Sequence, residues 1–211
     1  DILGGRHHDQ FVVDVFQAGA GVSFHMNTNE VLANLANRRL GGALGTYDRV
    51  HPNDHVNIAQ STNDVTPTAM RLAHLELTKA LIDELEKLAD AFAAKAAQYR
   101  DLVKPGRTHL QDAVPITFGQ EFGGWATRMR SAAARIRGTR GELSELGIVG
   151  TAAGTGLNAD PKFSERVCAS LAQWTGDPIV AAKDLFAAMQ STAVFLRTSS
   201  GMRTAAVELA S

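Results

Sequence analysis

Cysteine is almost missing from these 211 residues. Cys168 stands alone, which excludes an intrachain disulfide and suits a reducing, cytoplasmic setting. Within FSERVCASLAQW it lies beside Val167 and Leu171, the surroundings of a small buried hydrophobe rather than of a reactive thiol. No run of about 18 apolar residues occurs, so no segment reads as a membrane span. Neither sign of charge is in excess. A formal net charge of −1 leaves no basic field for nucleic acid. No basic-then-apolar leader opens the chain, and position 1 is Asp rather than Met, which is the expectation for a portion of a longer chain. Strand patterns are also scarce: only FVVDVF, residues 11–16, alternates as an extended segment would.

What fills the sequence instead is helical periodicity. From Thr68 to Tyr99, Met70, Ala73, Leu77, Leu81, Leu85, Leu88, Phe92, Ala96 and Tyr99 recur every three or four positions. That exceeds the ~8–20 residues of an ordinary globular helix and predicts a bundle. A second pattern follows Pro115, read as a first-turn residue, through Phe118, Phe122, Trp125, Met129, Ala133, Ile136, Leu143 and Leu146, with a bend expected at Gly138 and Gly141. Shorter helices are expected from the Asn27/Glu30 capping pair to Gly41-Gly42, from Asp160-Pro161 to Gly176, and from about Leu185 onward. The arginines between Arg128 and Arg140 fall mostly on one helical face, read as solvated or as a subunit contact. The fold class is all-α.

Polar residues concentrate in four joints: QAGAGVSFHMNTNE, VHPNDHVNIAQSTNDVTP, GRTHLQDAVP and GTAAGTGLN. Any one of them alone is ordinary helix punctuation. GTAAGTG lacks the preceding strand and the glycine spacing of a dinucleotide fingerprint. His7-His8-Asp9 has no third ligand at helical spacing, so no metal site is expected, and His74 reads as an exposed or interface residue. Together, however, the joints gather hydrogen-bond donors at Ser61, Thr62, Asn63, Thr108 and His109, beside helix starts whose backbone N–H groups favour anions. His109 adds a group that titrates near neutral pH. Such a set suits a small dicarboxylic acid.

The same four segments, in this order, resemble the fumarase/aspartase superfamily, in its aspartate ammonia-lyase and class II fumarase branch; they cover the chain from Phe11 to Asn158. The resemblance implies a long-helix bundle of that type, with residues 1–60 as an N-terminal helical region bearing substrate loops. Residues 61–211 would form the central bundle, incomplete in this length. It further implies a homotetramer with sites shared between subunits, no cofactor, and reversible anti-elimination that gives fumarate. Ser61, Thr62 and Asn63 would bind the substrate, together with Gly21 and Val22, and Thr108 and His109 would come from another subunit, His109 as a proton-transfer residue. His51, Asn53 and Asp54 match a second anion site, against a loop-stabilising role for His51. QAGAG, MNTNEVLAN and QSTND lean toward the ammonia-lyase acting on L-aspartate, with fumarate hydratase or a non-catalytic helical assembly as alternatives.

Two features depart from the family pattern. Val22 replaces a Thr and His25 replaces an Asn in the first segment. The GSSxMPxKxNP loop, which in the family supplies a serine base, does not occur among these residues, so these residues alone are expected to show impaired lyase activity.

Overall fold

The computed structural model describes residues 1–16 and 19–211. Gln17 and Ala18 of the QAGAG segment lie outside the described residues. Seven α-helices lie along these residues: α1 (Val22–Arg39), α2 (Thr62–Gln98), α3 (Phe118–Arg137), α4 (Arg140–Leu143), α5 (Phe163–Thr175), α6 (Leu185–Gln190) and α7 (Ala193–Ala210). A hairpin joins α2 to α3 through β1 (Val103–Thr108) and β2 (Gln111–Thr117), and β3 (Glu145–Leu146) pairs in parallel with β4 (Val180–Ala181). The chain forms two compact units, Asp1–Leu72 with Glu145–Ser191, and Ala73–Ser144 with Thr192–Ser211. They do not coincide with a division at residue 60, because the chain leaves the first unit along α2 and returns to it at Glu145.

The second unit has a three-helix core. Ile82, Leu85 and Ala89 of α2 meet Met129, Ala132, Ala133 and Ile136 of α3 and Ala205 of α7. Leu81, Leu88 and Phe92 pack at its margin. The buried stripe of α2 is therefore rotated from the one read in sequence: Leu75, Thr78 and Ile82 are inside, while Leu77 is 73% exposed and Met70 43%. A helix with leucines on more than half its circumference does not announce which of them face inward. The arginines between Arg128 and Arg140 do not share one face: those of α3 divide between α7 and α2. Arg128 and Arg135 pair with Glu208, Arg130 with Asp90 and Arg137 with Glu86, and Arg140 donates to the Leu75 carbonyl and the Thr78 hydroxyl.

The third polar joint is a β-hairpin rather than a helix joint. Thr108 pairs with Gln111, and His109 and Leu110 turn the chain with φ of 49° and 63°, both left-handed, as a two-residue type I′ turn requires. Asn-Gly is the usual signal for that turn, and His-Leu carries none of it. Pro115 stands opposite Pro105 in the ladder and does not start a helix. A register shift falls at Gly106, where a Cβ would lie 2.9 Å from the Val114 carbonyl oxygen, so the bulge needs a glycine. Helix α3 begins instead after Thr117, whose hydroxyl accepts from the Gln120 amide while the Gln120 side chain accepts from the Thr117 amide. Replacing Thr117 by Ala is expected to lower stability by about 1 kcal/mol in urea denaturation, with Thr117→Ser close to wild type.

Other boundaries also move. Residues 11–16 form no strand. Helix α1 starts five residues before Asn27, which lies inside it, and α2 starts at Thr62 rather than Thr68. The expected bend at Gly138 is a break between α3 and α4, and a further break at 191–192 separates α6 from α7. Helix α5 starts at Phe163 with Asp160 accepting from the Lys162 amide, and it ends at Gly176 as expected. Cys168 is buried. His74 is half-buried against the Phe195 ring, at 5.3 Å between centroids, rather than exposed. No helix among the described residues is long and apolar enough to cross a membrane.

Candidate active site

Asn27, Asn34 and Asn37 of MNTNEVLANLAN hold the first unit together before any chemistry begins. Asn27 accepts from the Val12 amide and donates to the Gln10 carbonyl. Asn34 accepts from the Gly45 amide, and Asn37 accepts from the Arg49 and Val50 amides while donating to the Val50 carbonyl. One helix thereby fastens the irregular chain on both sides of itself. A buried amide with donors and acceptors satisfied in this way fixes loop position more firmly than apolar contact alone.

A cleft of about 640 Å³ opens in this unit. Ala20 and Gly21 at the start of α1 line it, with Thr62, Asn63, Thr66 and Met70 of α2. Ala152 and Ala153 of the GTAAGTG loop and Met189 and Gln190 of α6 close it. Two helix N-termini therefore meet at one cavity. That of α1 follows Gly21 and carries no side-chain cap, and its first amide, that of Val22, is bonded to the Gly19 carbonyl. A Cβ on Gly21 would sit 3.0–3.1 Å from the Thr66 side chain, which sets how closely α1 approaches α2.

The start of α2 is built by reciprocal capping. Ser61 accepts through its hydroxyl from the Asn63 amide, and the Asp64 carboxylate accepts from the Ser61 amide at 2.9 Å. The other Asp64 oxygen accepts from the Val149 and Thr151 amides at 3.0 and 2.9 Å. Asn63 donates to the Ala152 carbonyl at 2.8 Å. These bonds clamp the GTAAGTG loop to the α2 terminus across more than eighty residues of sequence. Burial pushes the Asp64 carboxyl above its ordinary range, and the hydrogen bonds from the Ser61, Thr151 and Val149 amides oppose that shift.

Of the residues expected from sequence, Gly21, Thr62 and Asn63 line the cleft. Ser61 caps the start of α2, and Val22 is the first residue of α1, with its amide bonded to the Gly19 carbonyl. Thr108 and His109 are exposed at the hairpin, in the other compact unit. His51 accepts through Nδ1 from the Asn53 and Asp54 amides and stands 3.4 Å from the Asp54 carboxylate. The amides of the HPND turn thus point at the His51 ring, which gives that ring a loop-stabilising part. The sequence reading missed Asp64 as the clamp, although its three-residue spacing from Ser61 is a capping signal, and it missed Met189 and Gln190, which carry no signal at all. It also did not foresee that His25 Nδ1 lies 2.8 Å from the Thr62 hydroxyl oxygen. No group of three or more His, Cys, Asp or Glu side chains among the described residues is placed to hold a metal ion.

Residues 1–211 match the family model described as Lyase. The chain is 46% identical over 209 residues to a class II fumarate hydratase of Prochlorococcus marinus, covering 99% of this chain and 45% of that one. It is 43% identical over 208 residues to an aspartate ammonia-lyase of Helicobacter pylori, covering 99% and 44%. Among solved structures it superposes on the fumarate lyase:delta crystallin from Brucella melitensis bound to cobalt with a TM-score of 0.92, at 45% identity, over 99% of this chain and 45% of that one. The chain spans about 45% of the length of the relatives it matches. With the helical fold, the clamped α2 terminus and these likenesses in agreement, the chain belongs to the lyase family of the fumarase/aspartase superfamily and corresponds to its N-terminal portion.

Proposed function

We propose that this chain supplies the carboxylate- and amine-binding part of an ammonia-lyase site that converts L-aspartate to fumarate and ammonia, with the assembled site shared between subunits of a homotetramer. The observation that carries this reading is the cleft at which the uncapped α1 terminus and the Thr62-Asn63 pair of α2 converge. Helix N-termini favour anions, and a dicarboxylate brings two. In the reaction a base removes a proton from Cβ. The electron pair so released first resides on the adjacent carboxylate as an aci-dianion, then forms the Cα=Cβ bond as ammonia leaves with its bonding electrons. Fixed donors aimed at that carboxylate lower the barrier, since each is worth ~3 kcal/mol where charge develops.

Thr108 and His109 are assigned the complementary side, offered from another subunit, with His109 in proton transfer. In support, His109 is exposed at the hairpin tip and Thr108 precedes it at the last ladder pair of β1, so both are presented to solvent. The base itself is assigned, by family resemblance, to a GSSxMPxKxNP segment that these residues do not include. His51, Asn53 and Asp54 are assigned to a second, non-catalytic anion site on family resemblance alone, since the Asn53 and Asp54 amides are themselves bonded to His51 Nδ1.

A competing reading has a specific basis, since a fumarate hydratase matches as well as an ammonia-lyase does. Fumarate formation, followed by its ultraviolet absorbance in the tetrameric protein, separates the two. L-aspartate is expected to be consumed and L-malate left essentially untouched; faster turnover of malate would replace the ammonia-lyase by the hydratase.

A further inference from the structure

His25 does not line the cleft, yet it touches a residue that does. It lies one turn into α1, is only 7% exposed, and places Nδ1 2.8 Å from the hydroxyl oxygen of Thr62, which lines the cleft. We propose that His25 is a positioning residue that holds the Thr62 hydroxyl as a hydrogen-bond acceptor toward the cleft, so that the site selects ligands bearing a donor group, an ammonium or hydroxyl, beside their carboxylates.

One contact has a limited proton inventory. A neutral imidazole has one donor and one acceptor nitrogen, and a hydroxyl has one proton. With Nε2 carrying the ring proton, the intrinsically favoured tautomer, Nδ1 accepts and the Thr62 proton is spent on it. What Thr62 then turns to the cleft is its lone pairs. They welcome an ammonium and repel a carboxylate oxygen. In the opposite tautomer, Nδ1–H donates, and the hydroxyl proton is released to bond an anion instead. The ring is kept neutral by its surroundings: burial lowers the His25 pKa, and the negative charge of Asp64 on α2 opposes this with the smaller effect. An Asn at this position would present either amide atom and fix neither orientation.

The inference rests on the dicarboxylate reading for its ligand, but not for the hydroxyl's orientation, and two measurements keep them apart. The first is the nitrogen-15 chemical shifts of His25 near neutral pH, where an unprotonated Nδ1 and a protonated Nε2 are expected. A protonated Nδ1 in the neutral ring overturns the proposal. The second is calorimetric affinity for L-aspartate and for succinate, which lacks the donor, in wild type, Thr62→Ser, Thr62→Val and His25→Asn. Wild type and Thr62→Ser are expected to prefer aspartate, and Thr62→Val to lose about tenfold of that preference, the scale of one hydrogen bond to a charged group. Protonating His25 turns Nδ1 into a donor, so the preference is held at neutral pH and falls as pH drops below the ordinary imidazole value of about 6.5. His25→Asn, which has no such proton, is expected to show only the ionisation of the ligands. An aspartate-to-succinate ratio equal in wild type and Thr62→Val overturns the proposal. If neither ligand binds, the dicarboxylate reading fails, while the nitrogen shifts still decide which way the hydroxyl points.

Discussion

Asp64→Ala is expected to cost about 3–5 kcal/mol of stability and to free the loop after Gly147 from the α2 terminus. Three backbone amides, those of Ser61, Val149 and Thr151, share this one buried carboxylate. Removing it leaves three donors without their acceptor, that of Val149 in a buried position. Asp64→Asn keeps the shape but turns an NH2 group onto an N–H, so it is expected to recover only part of the loss. Chemical denaturation measures the stability, and amide hydrogen exchange at Val149 and Thr151 measures the release of the loop. An Ala variant within 1 kcal/mol of wild type would show that the clamp is dispensable. The pH dependence has a definite sign. Burial raises the Asp64 pKa above its unfolded value, so this group's contribution is fully present below about pH 3.9 and diminishes as pH rises through the raised folded value.

Gly119→Ala is expected to destabilise by about 3 kcal/mol, which lowers Tm by roughly 6–12 °C for a chain of this size. Gly119 is the second residue of α3, and a Cβ there would stand 2.6 Å from Arg100 Cα and 2.8 Å from the Ala96 carbonyl oxygen. Both are backbone atoms, so no side-chain rotation relieves the clash. The closeness has a purpose: the Gly119 amide donates to the Tyr99 carbonyl at 2.9 Å, and the Phe118 amide to the Leu102 carbonyl at 3.0 Å. The beginning of one helix thereby satisfies carbonyls at the end of another. Gly123→Ala, one turn on, is the control, because its Cβ would meet only the Ala96 methyl at 4.0 Å. Thermal scans of the two variants should separate widely, and equal Tm values would refute the close-approach account.

The helical class and the four polar joints were legible in sequence because both rest on local signals, a 3.6-residue period and clusters of capping residues. Helix α5 ends at Gly176 as expected for the same reason. The hairpin was not legible. Its strands are interrupted by Pro105, Gly106 and Pro115, and its turn is His109-Leu110, so neither alternation nor turn chemistry marks it. The inward face of α2 was misplaced at Leu77 because that helix is apolar on several sides, and only the positions of α3 and α7 decide which leucines are covered. For the site, donor-rich residues were identifiable as types, and Thr62 and Asn63 do line the cleft. What composition could not reveal was pairing: that Thr62 is engaged by His25, that Asn63 holds Ala152, and that an aspartate three residues after Ser61 serves a loop 85 residues away.

That last distance bears on the order in which the molecule is made. The cleft draws on residues 20–70 and again on 152–190, with a whole second unit threaded between them. For a flexible chain, bringing ends some 85 residues apart together costs roughly 4 kcal/mol beyond a constant. Contacts of such separation form late in folding and slow it. A nascent chain emerging from the ribosome would thus carry the α1 and α2 termini exposed until Gln190 has been synthesised, while α2, the hairpin and α3 can settle on nearest neighbours in sequence. The three amide bonds to Asp64 are among the contacts that offset this closure, so the cleft takes shape only when both segments are present.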